Sequence, residues 1–312
     1  MTSEGALATA GALPALPAAR RAAAEGRALP LATVLAAVLI LWYLGAIWMN
    51  ASLVRQHFAQ IDQKAWTTGE FIHDAWSLER PVLPAPQQVA HALVTSVFEH
   101  SITSRRSLVY HSYVTGSATV LGFALGVVLG ISLAVGIVLL RTLDRSLLPW
   151  IIASQTVPII AIAPMIVVVL GNMGLTGLIP KALISMYLCF FPITIGMVKG
   201  LRSPDPLQLD LMRTYSASPG QVFGKLRWPA SATFLFASLK VAIAVSLVGA
   251  IVGELPTGAQ AGLGALLLIG SYYGQTVQIW AALVMASLLG VVLVALVGLV
   301  ERATLRHMGA MP

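Results

Sequence analysis

Charge is what this sequence has least of. Of its 312 residues only 10% are Asp, Glu, Lys or Arg, against 57% hydrophobic, and mean hydropathy is +0.84. A soluble domain carries roughly 25% charged residues, so this chain has too few to cover a water-facing surface and is expected to be a polytopic membrane protein. Cysteine is almost absent. The single Cys189 lies in an apolar run, which excludes an internal disulfide and a cysteine zinc cluster and leaves an inert core thiol. His73, His91, His100 and His111 lack metal-ligand spacing, so no metal is expected. The acidic residues fall nearly all in polar connecting segments, with no paired nucleophile and base, and an intramembrane enzyme is therefore disfavoured. The net charge of +7 suits loops that gather Lys and Arg on one side of a membrane better than it suits nucleic acid.

Long apolar runs make up the rest. Residues 1–28 are rich in Ala, Leu and Pro with Arg20, Arg21 and Arg27, and are expected to be a disordered cytoplasmic tail. Leu29–Met49 is a first transmembrane helix, too long for a signal-peptide core. Trp42, Tyr43 and Trp48 suit its outer interface. Residues 50–106 form a periplasmic segment. In it Val89, Leu93 and Val97 mark an amphipathic helix expected to lie on the outer membrane surface. A membrane core over 107–307 supplies five further spans, near 110–140, 148–170, 182–199, 230–253 and 276–300. The fold class is thus all-α with about six transmembrane helices. Gly122, Gly126 and Gly130 form a GxxxGxxxG ladder suited to close helix packing. Pro158 and Pro164 should kink the third span, where Gln155, Thr156 and Pro158, with Asn172 at the outer mouth, are the candidate translocation pathway. Residues 254–275 read as a Gly-rich outer loop. Lys240 is the one charge inside a span and is expected to snorkel inward; Glu254 is expected at the outer end of the same span.

Charge tests the orientation. With both termini inside, inner segments hold Arg20, Arg21, Arg27, Arg141, Arg145, Lys199, Arg202, Arg213, Lys225, Arg227, Arg302 and Arg306, twelve of the 19 Lys and Arg. The short outer loops hold only Lys181, so N- and C-termini are expected in the cytoplasm.

Leu201–Pro229 is the most polar interruption of the core. Asp205-Pro206 and Ser218-Pro219 are two helix starts, each an N-cap followed by Pro at the first helical position. Two short helices at the membrane surface are expected, with Leu207, Leu211, Met212, Tyr215, Asp210 and Arg213 suited to a helix-in-groove contact. Gly220-Gln-Val-Phe-Gly224-Lys225 lacks the spacing, hydroxyl and preceding strand of a phosphate loop, so no nucleotide site is expected on this chain.

Asp210, Leu211 and Met212, then Ser216, then Leu226, Trp228 and Pro229 keep the spacing of the EAA motif, with Ser216 where the family has Gly. Together with LPAPQQV (83–89), QTVPIIAIAP (155–164) and SLKVAIAVSLVGAIVGE (238–254), residues 80–307 resemble the permease subunit of a binding-protein-dependent ABC importer of the nitrate/sulfonate/taurine branch. The resemblance implies a type I ABC importer permease fold in the bacterial inner membrane. It implies partners: two cytoplasmic ATP-binding subunits carrying ATP and Mg, a second permease copy or paralogue, and a periplasmic substrate-binding protein. It implies ATPase coupling through Leu207, Asp210, Leu211, Met212, Arg213, Tyr215, Ser216, Ser218 and Gly220, with ATP hydrolysis on the partner and no cofactor in this chain. Few polar groups in the spans suit a small anion or small organic solute. Nitrate, sulfonate, taurine and pyrimidine or thiamine precursors stay open, as do homodimer and heterodimer. The alternative is an ion-coupled secondary transporter, for which a single buried charge and no visible repeat are poor credentials.

Overall fold

The computed structural model describes residues 16–60, 66–256 and 261–308, with side chains from residue 29 onward. The chain divides into two units, residues 1–86 and 87–312.

The first unit is one long helix and a short one folded against it. Helix α1 (Leu16–Gln60) has 45 residues, about 68 Å at 1.5 Å per residue, twice the thickness of a hydrocarbon core. Residues 1–15 of the expected tail lie outside the described residues; from Leu16 the backbone is already helical, as its run of Ala favours. The helix also continues past Met49. Its last turns pack Val54 and Phe58 against Ala75, Phe71 and Leu78 of the α2 region. Helix α2 (Thr68–Ser77) opens with a capping box between Thr67 and Glu70. Asn50 ties the unit together. Fully buried, it donates from Nδ2 to the carbonyls of Ala75 and Leu83, each at 2.9 Å, and its Oδ1 accepts from the N–H groups of Val82 and Leu83. The Trp42 indole donates to the Pro84 carbonyl at 3.0 Å, and Tyr43 meets Trp76 edge to face.

In the second unit α3 (Pro86–Val94) leads through a π-helical turn, Thr95–Glu99, into α4 (Leu108–Leu139). Ala92, Leu93 and Val97 pack with Leu108 against Leu263, Leu266 and Ala282. The expected surface-lying helix thus buries its apolar stripe in the protein, because α11 (Leu263–Tyr273) and α12 (Thr276–His307) offer it a matching apolar face. Helix α7 (Leu178–Leu201) is the centre of the unit, flanked by α4 and α10 (Trp228–Glu254). The glycine ladder explains the closeness of α4. A Cβ on Gly122 would lie 2.3 Å from the Ser185 Cβ, one on Gly126 2.3 Å from the Cys189 Sγ, and one on Gly130 2.9 Å from the Ile193 Cβ. Without a hydrophobic drive in lipid, such backbone approach supplies the dispersion contacts that hold helices together.

Among the described residues five helices are long and apolar enough to cross a membrane: Leu29–Gln60, Leu108–Leu139, Leu178–Leu201, Pro219–Glu254 and Thr276–His307. The expected third span is not one kinked helix. It is α5 (Arg141–Ser154) and α6 (Ile159–Asn172), set at 97° to each other. Pro149 and Pro164 are accommodated inside these helices, whereas Pro158 stands at the break as the residue before α6, where it has no N–H to continue α5. The pair makes a sixth span if counted as one broken crossing. The expected outer loop 254–275 also contains structure: α11 (Leu263–Tyr273) is a short apolar helix ended by Gly274 in the left-handed region. Helix α12 (Thr276–His307) completes the unit against α10 and α11.

Candidate functional site

Between α7 and α10 the chain forms the two short helices that its caps predict. Helix α8 (Pro206–Thr214) is capped by Asp205, which accepts from the Leu207 N–H at 2.8 Å, and Gln208 closes the capping box. Helix α9 (Pro219–Val222) is capped in the same way by Ser218 and Gln221. Gly220 and Lys225 therefore sit in helical backbone, α9 and the π-helical turn Phe223–Arg227, and not in a phosphate-binding loop.

Ser216 turns the chain between the two helices with φ of +52°, the only positive value on a non-glycine residue among the described residues. That is the position of the motif glycine. Serine adopts the bend at a steric cost of about 1–2 kcal/mol that Gly avoids. The turn is closed by the Ala217 N–H donating to the Met212 carbonyl at 3.0 Å. Leu207, Leu211 and Tyr215 stand out from α8 into solvent, being 77%, 57% and 77% exposed. Met212 is half-buried, and Asp210, Arg213, Ser216, Ser218 and Gly220 are exposed. Asp210 and Arg213 pair with each other at 2.9 Å along one helix face, a contact worth only tenths of a kcal/mol there. Three large apolar side chains left in water beside such a pair are the marks of a docking face.

The base of this knob is held to the bundle. Arg227 donates to the Leu201 carbonyl at 3.5 Å, and Arg202, just after α7, pairs with Asp144 of α5 at 2.9 Å.

The pathway candidates sit at and beyond the α5–α6 break. Gln155 is half-buried and donates from Nε2 to the Ser154 Oγ at 3.2 Å; Thr156 and Pro158 are exposed at the corner; Asn172 is exposed at the far end of α6. The Tyr187 hydroxyl of α7 donates to the Ser154 carbonyl, fixing the break to the central helix. Gln155, Thr156 and Pro158 are neighbours, and Asn172 lies a helix length away.

Beyond these, the structure assembles a polar cluster that sequence reasoning missed. Glu254 was expected at a wet span end; it is fully buried. Lys181, read as an outer-loop charge, lies inside α7, is 8% exposed, and pairs with Glu254 at 3.2 Å. Glu254 also accepts from the Thr115 hydroxyl at 2.9 Å and the Gly264 N–H at 2.8 Å. Lys181 donates to the Ala261 carbonyl at 3.0 Å. Thr115 accepts from the Leu263 N–H, and the Gly262 N–H donates to His111 Nδ1 at 2.9 Å. With Nδ1 accepting, the proton is on Nε2, which reaches the Arg105 carbonyl at 2.8 Å. Gly262 has φ of +129°, and a Cβ there would lie 2.1 Å from the Glu254 carboxyl carbon, so only glycine fits. The cluster pins the entry to α11 onto α4, α7 and α10. Its sequence signal was present in Glu254 and in Gly262-Leu-Gly264, but a partner 73 residues away in the chain has no local signature. Lys240 departs from expectation as well: it is not a lone snorkelling cation, since Glu301 of α12 pairs with it.

Residues 126–306 match the family described as binding-protein-dependent transport system inner membrane component. The chain is 32% identical over 221 residues to a probable ABC transporter permease protein of Haemophilus influenzae, an alignment covering 71% of this chain and 82% of that protein. It is 32% identical over 225 residues to the riboflavin transport system permease protein of Chloroflexus aurantiacus (72% and 80%), and 32% identical over 184 residues to the formylaminopyrimidine transport permease protein of Halalkalibacterium halodurans (59% and 68%). A helical membrane bundle with an exposed two-helix knob is thus a transport subunit. The chain belongs to the family of binding-protein-dependent inner membrane components, and it is the membrane-spanning permease of an ABC importer. Sulfonate and nitrate permeases are among its more distant relatives.

Proposed function

We propose that α8 and α9 form the coupling element, seated in a groove of a cytoplasmic ATP-binding subunit, and that the α5–α6 break lines the path of a small anion or small organic solute. The observation that carries this reading is the face of Leu207, Leu211 and Tyr215, exposed on a knob tethered by Arg227 and Arg202 to the central helices. Two such permeases, identical or paralogous, meet two ATPase subunits that bind ATP and Mg and perform the hydrolysis; this chain needs no cofactor of its own. A periplasmic binding protein delivers the substrate to the face opposite the knob, and both termini are cytoplasmic. The Lys and Arg concentrated on the knob-side segments support that orientation. The names of the relatives point to a riboflavin- or pyrimidine-sized heterocycle as readily as to an anion, and Gln155, Thr156 and Asn172 offer hydrogen bonds to either.

Rigid-body closure of the ATPases would carry the paired knobs together and re-aim α5 and α7. The test is to replace Leu211 with Asp and co-purify the ATPase subunits. The expected result is loss of the ATPase from a permease that still elutes as a folded membrane protein. Full retention of the ATPase with unchanged transport overturns the coupling role. Gln155→Ala should lower transport without releasing the ATPase, and wild-type uptake by that variant removes Gln155 from the pathway.

A further inference from the structure

On the knob side, α5, α7 and α10 leave a cleft of about 480 Å³. Its walls are apolar: Leu148, Ile195, Val198 and Phe234. Ile195, Val198 and Phe234 belong to helices long and apolar enough to cross a membrane. Its rim is cationic. Lys199 and Arg202 both line it. The Lys199 ammonium sits 5.8 Å from the centre of the Phe234 ring, and among the described residues no carboxylate comes within 4.0 Å of it. Arg202 gives one guanidinium nitrogen to Asp144 and remains nearly half exposed. One turn before Leu148 on α5, Arg145 with Arg141 lines a second, hydroxyl-bearing cleft. An occupant that satisfies walls and rim together has an anionic head and an apolar body.

We infer that this cleft is a binding site for an anionic phospholipid, with the headgroup phosphate on Lys199 and Arg202 and an acyl chain along Ile195, Val198 and Phe234. Basic pockets between transmembrane helices at a membrane surface hold such headgroups. Because Arg202 and Asp144 also fasten α5 to the end of α7, a phosphate on Arg202 couples the surrounding lipid to the segment that carries the knob. The site is independent of which solute the transporter moves.

The experiment is native mass spectrometry of the purified permease titrated with dioleoyl phosphatidylglycerol or dioleoyl phosphatidylcholine, with glycerol phosphate as the tail-less competitor. The expected result is retention of phosphatidylglycerol in preference to phosphatidylcholine. At roughly fivefold per cation, the Lys199→Gln/Arg202→Gln double variant should lose about 25-fold of that preference. Ile195→Trp, which fills the cleft without changing charge, should also displace the lipid, and Arg306→Gln at the end of α12 should not. Equal retention of both lipids, an unchanged preference in the double variant, or full displacement by glycerol phosphate at matched concentration overturns the assignment; the last marks a site for a soluble anion.

Discussion

Replacing Lys181 with Met should destabilise the bundle severely, and the reason lies in its partner. Glu254 is fully buried and takes three kinds of donor: the Lys181 ammonium, the Thr115 hydroxyl and the Gly264 N–H. Methionine has nearly the volume of lysine, so no large cavity forms, but the carboxylate loses its only cation among the described residues. Breaking a buried ion pair from one side costs about 3–5 kcal/mol, and the lost bond to the Ala261 carbonyl adds about 1 kcal/mol. At roughly 2–4 °C per kcal/mol, thermal unfolding should fall by about 8–24 °C. Glu254→Gln should be costly in the same way, since it strands the buried ammonium. The double variant Lys181→Met/Glu254→Gln removes both charges while Gln keeps an acceptor for Gly264. It should therefore be less damaged than the two singles together by at least about 2 kcal/mol. The assay is the midpoint for loss of monodisperse protein on heating in detergent, followed by size-exclusion chromatography for all four proteins. Strict additivity of the two substitutions would refute the argument that the pair acts as a unit.

Ser216→Gly should stabilise the knob by about 1 kcal/mol, since glycine takes φ of +52° freely; slower hydrogen exchange of the Ala217 amide is the readout, and Ser216→Val should speed it. Gly126→Val should separate α4 from α7, because even a Cβ there lies 2.3 Å from the Cys189 sulfur; loss of folded material is expected, with partial recovery on adding Cys189→Gly. The Thr67 N–H donates to the Glu70 carboxylate at 2.7 Å, and this backbone bond, with the Thr67 hydroxyl second, holds Glu70 below the usual carboxylate range. A depressed folded value means that the stabilisation is present above the unfolded value and lost as pH falls through the folded one. Hydrogen exchange in α2, corrected for its intrinsic pH dependence, should therefore accelerate on acidification below about pH 4.5 in the wild type and show no such step in Glu70→Gln.

Much of this protein is local and was readable in one dimension. Five of the six expected spans follow from apolar length alone, because a 30 Å core demands about 20 residues whatever they pack against. The knob followed from Asp205-Pro206 and Ser218-Pro219, since a cap is a hydrogen bond between residues two or three apart. The glycine ladder announced a close contact, because small residues every fourth position leave one face of a helix bare. What the sequence does not carry is the partner of each feature. That the ladder meets Ser185, Cys189 and Ile193, and that Lys240 answers Glu301, depend on groups far along the chain, and the 97° angle between α5 and α6 is likewise seen only in the structure. The sharpest case is Glu254. By itself it is a carboxylate at the end of an apolar run, and water is the cheap place for it. Only the packing of α4, α7 and α10 brings Lys181, Thr115 and the Gly264 amide within reach, and burial of a charge is decided by such partners rather than by its neighbours in sequence.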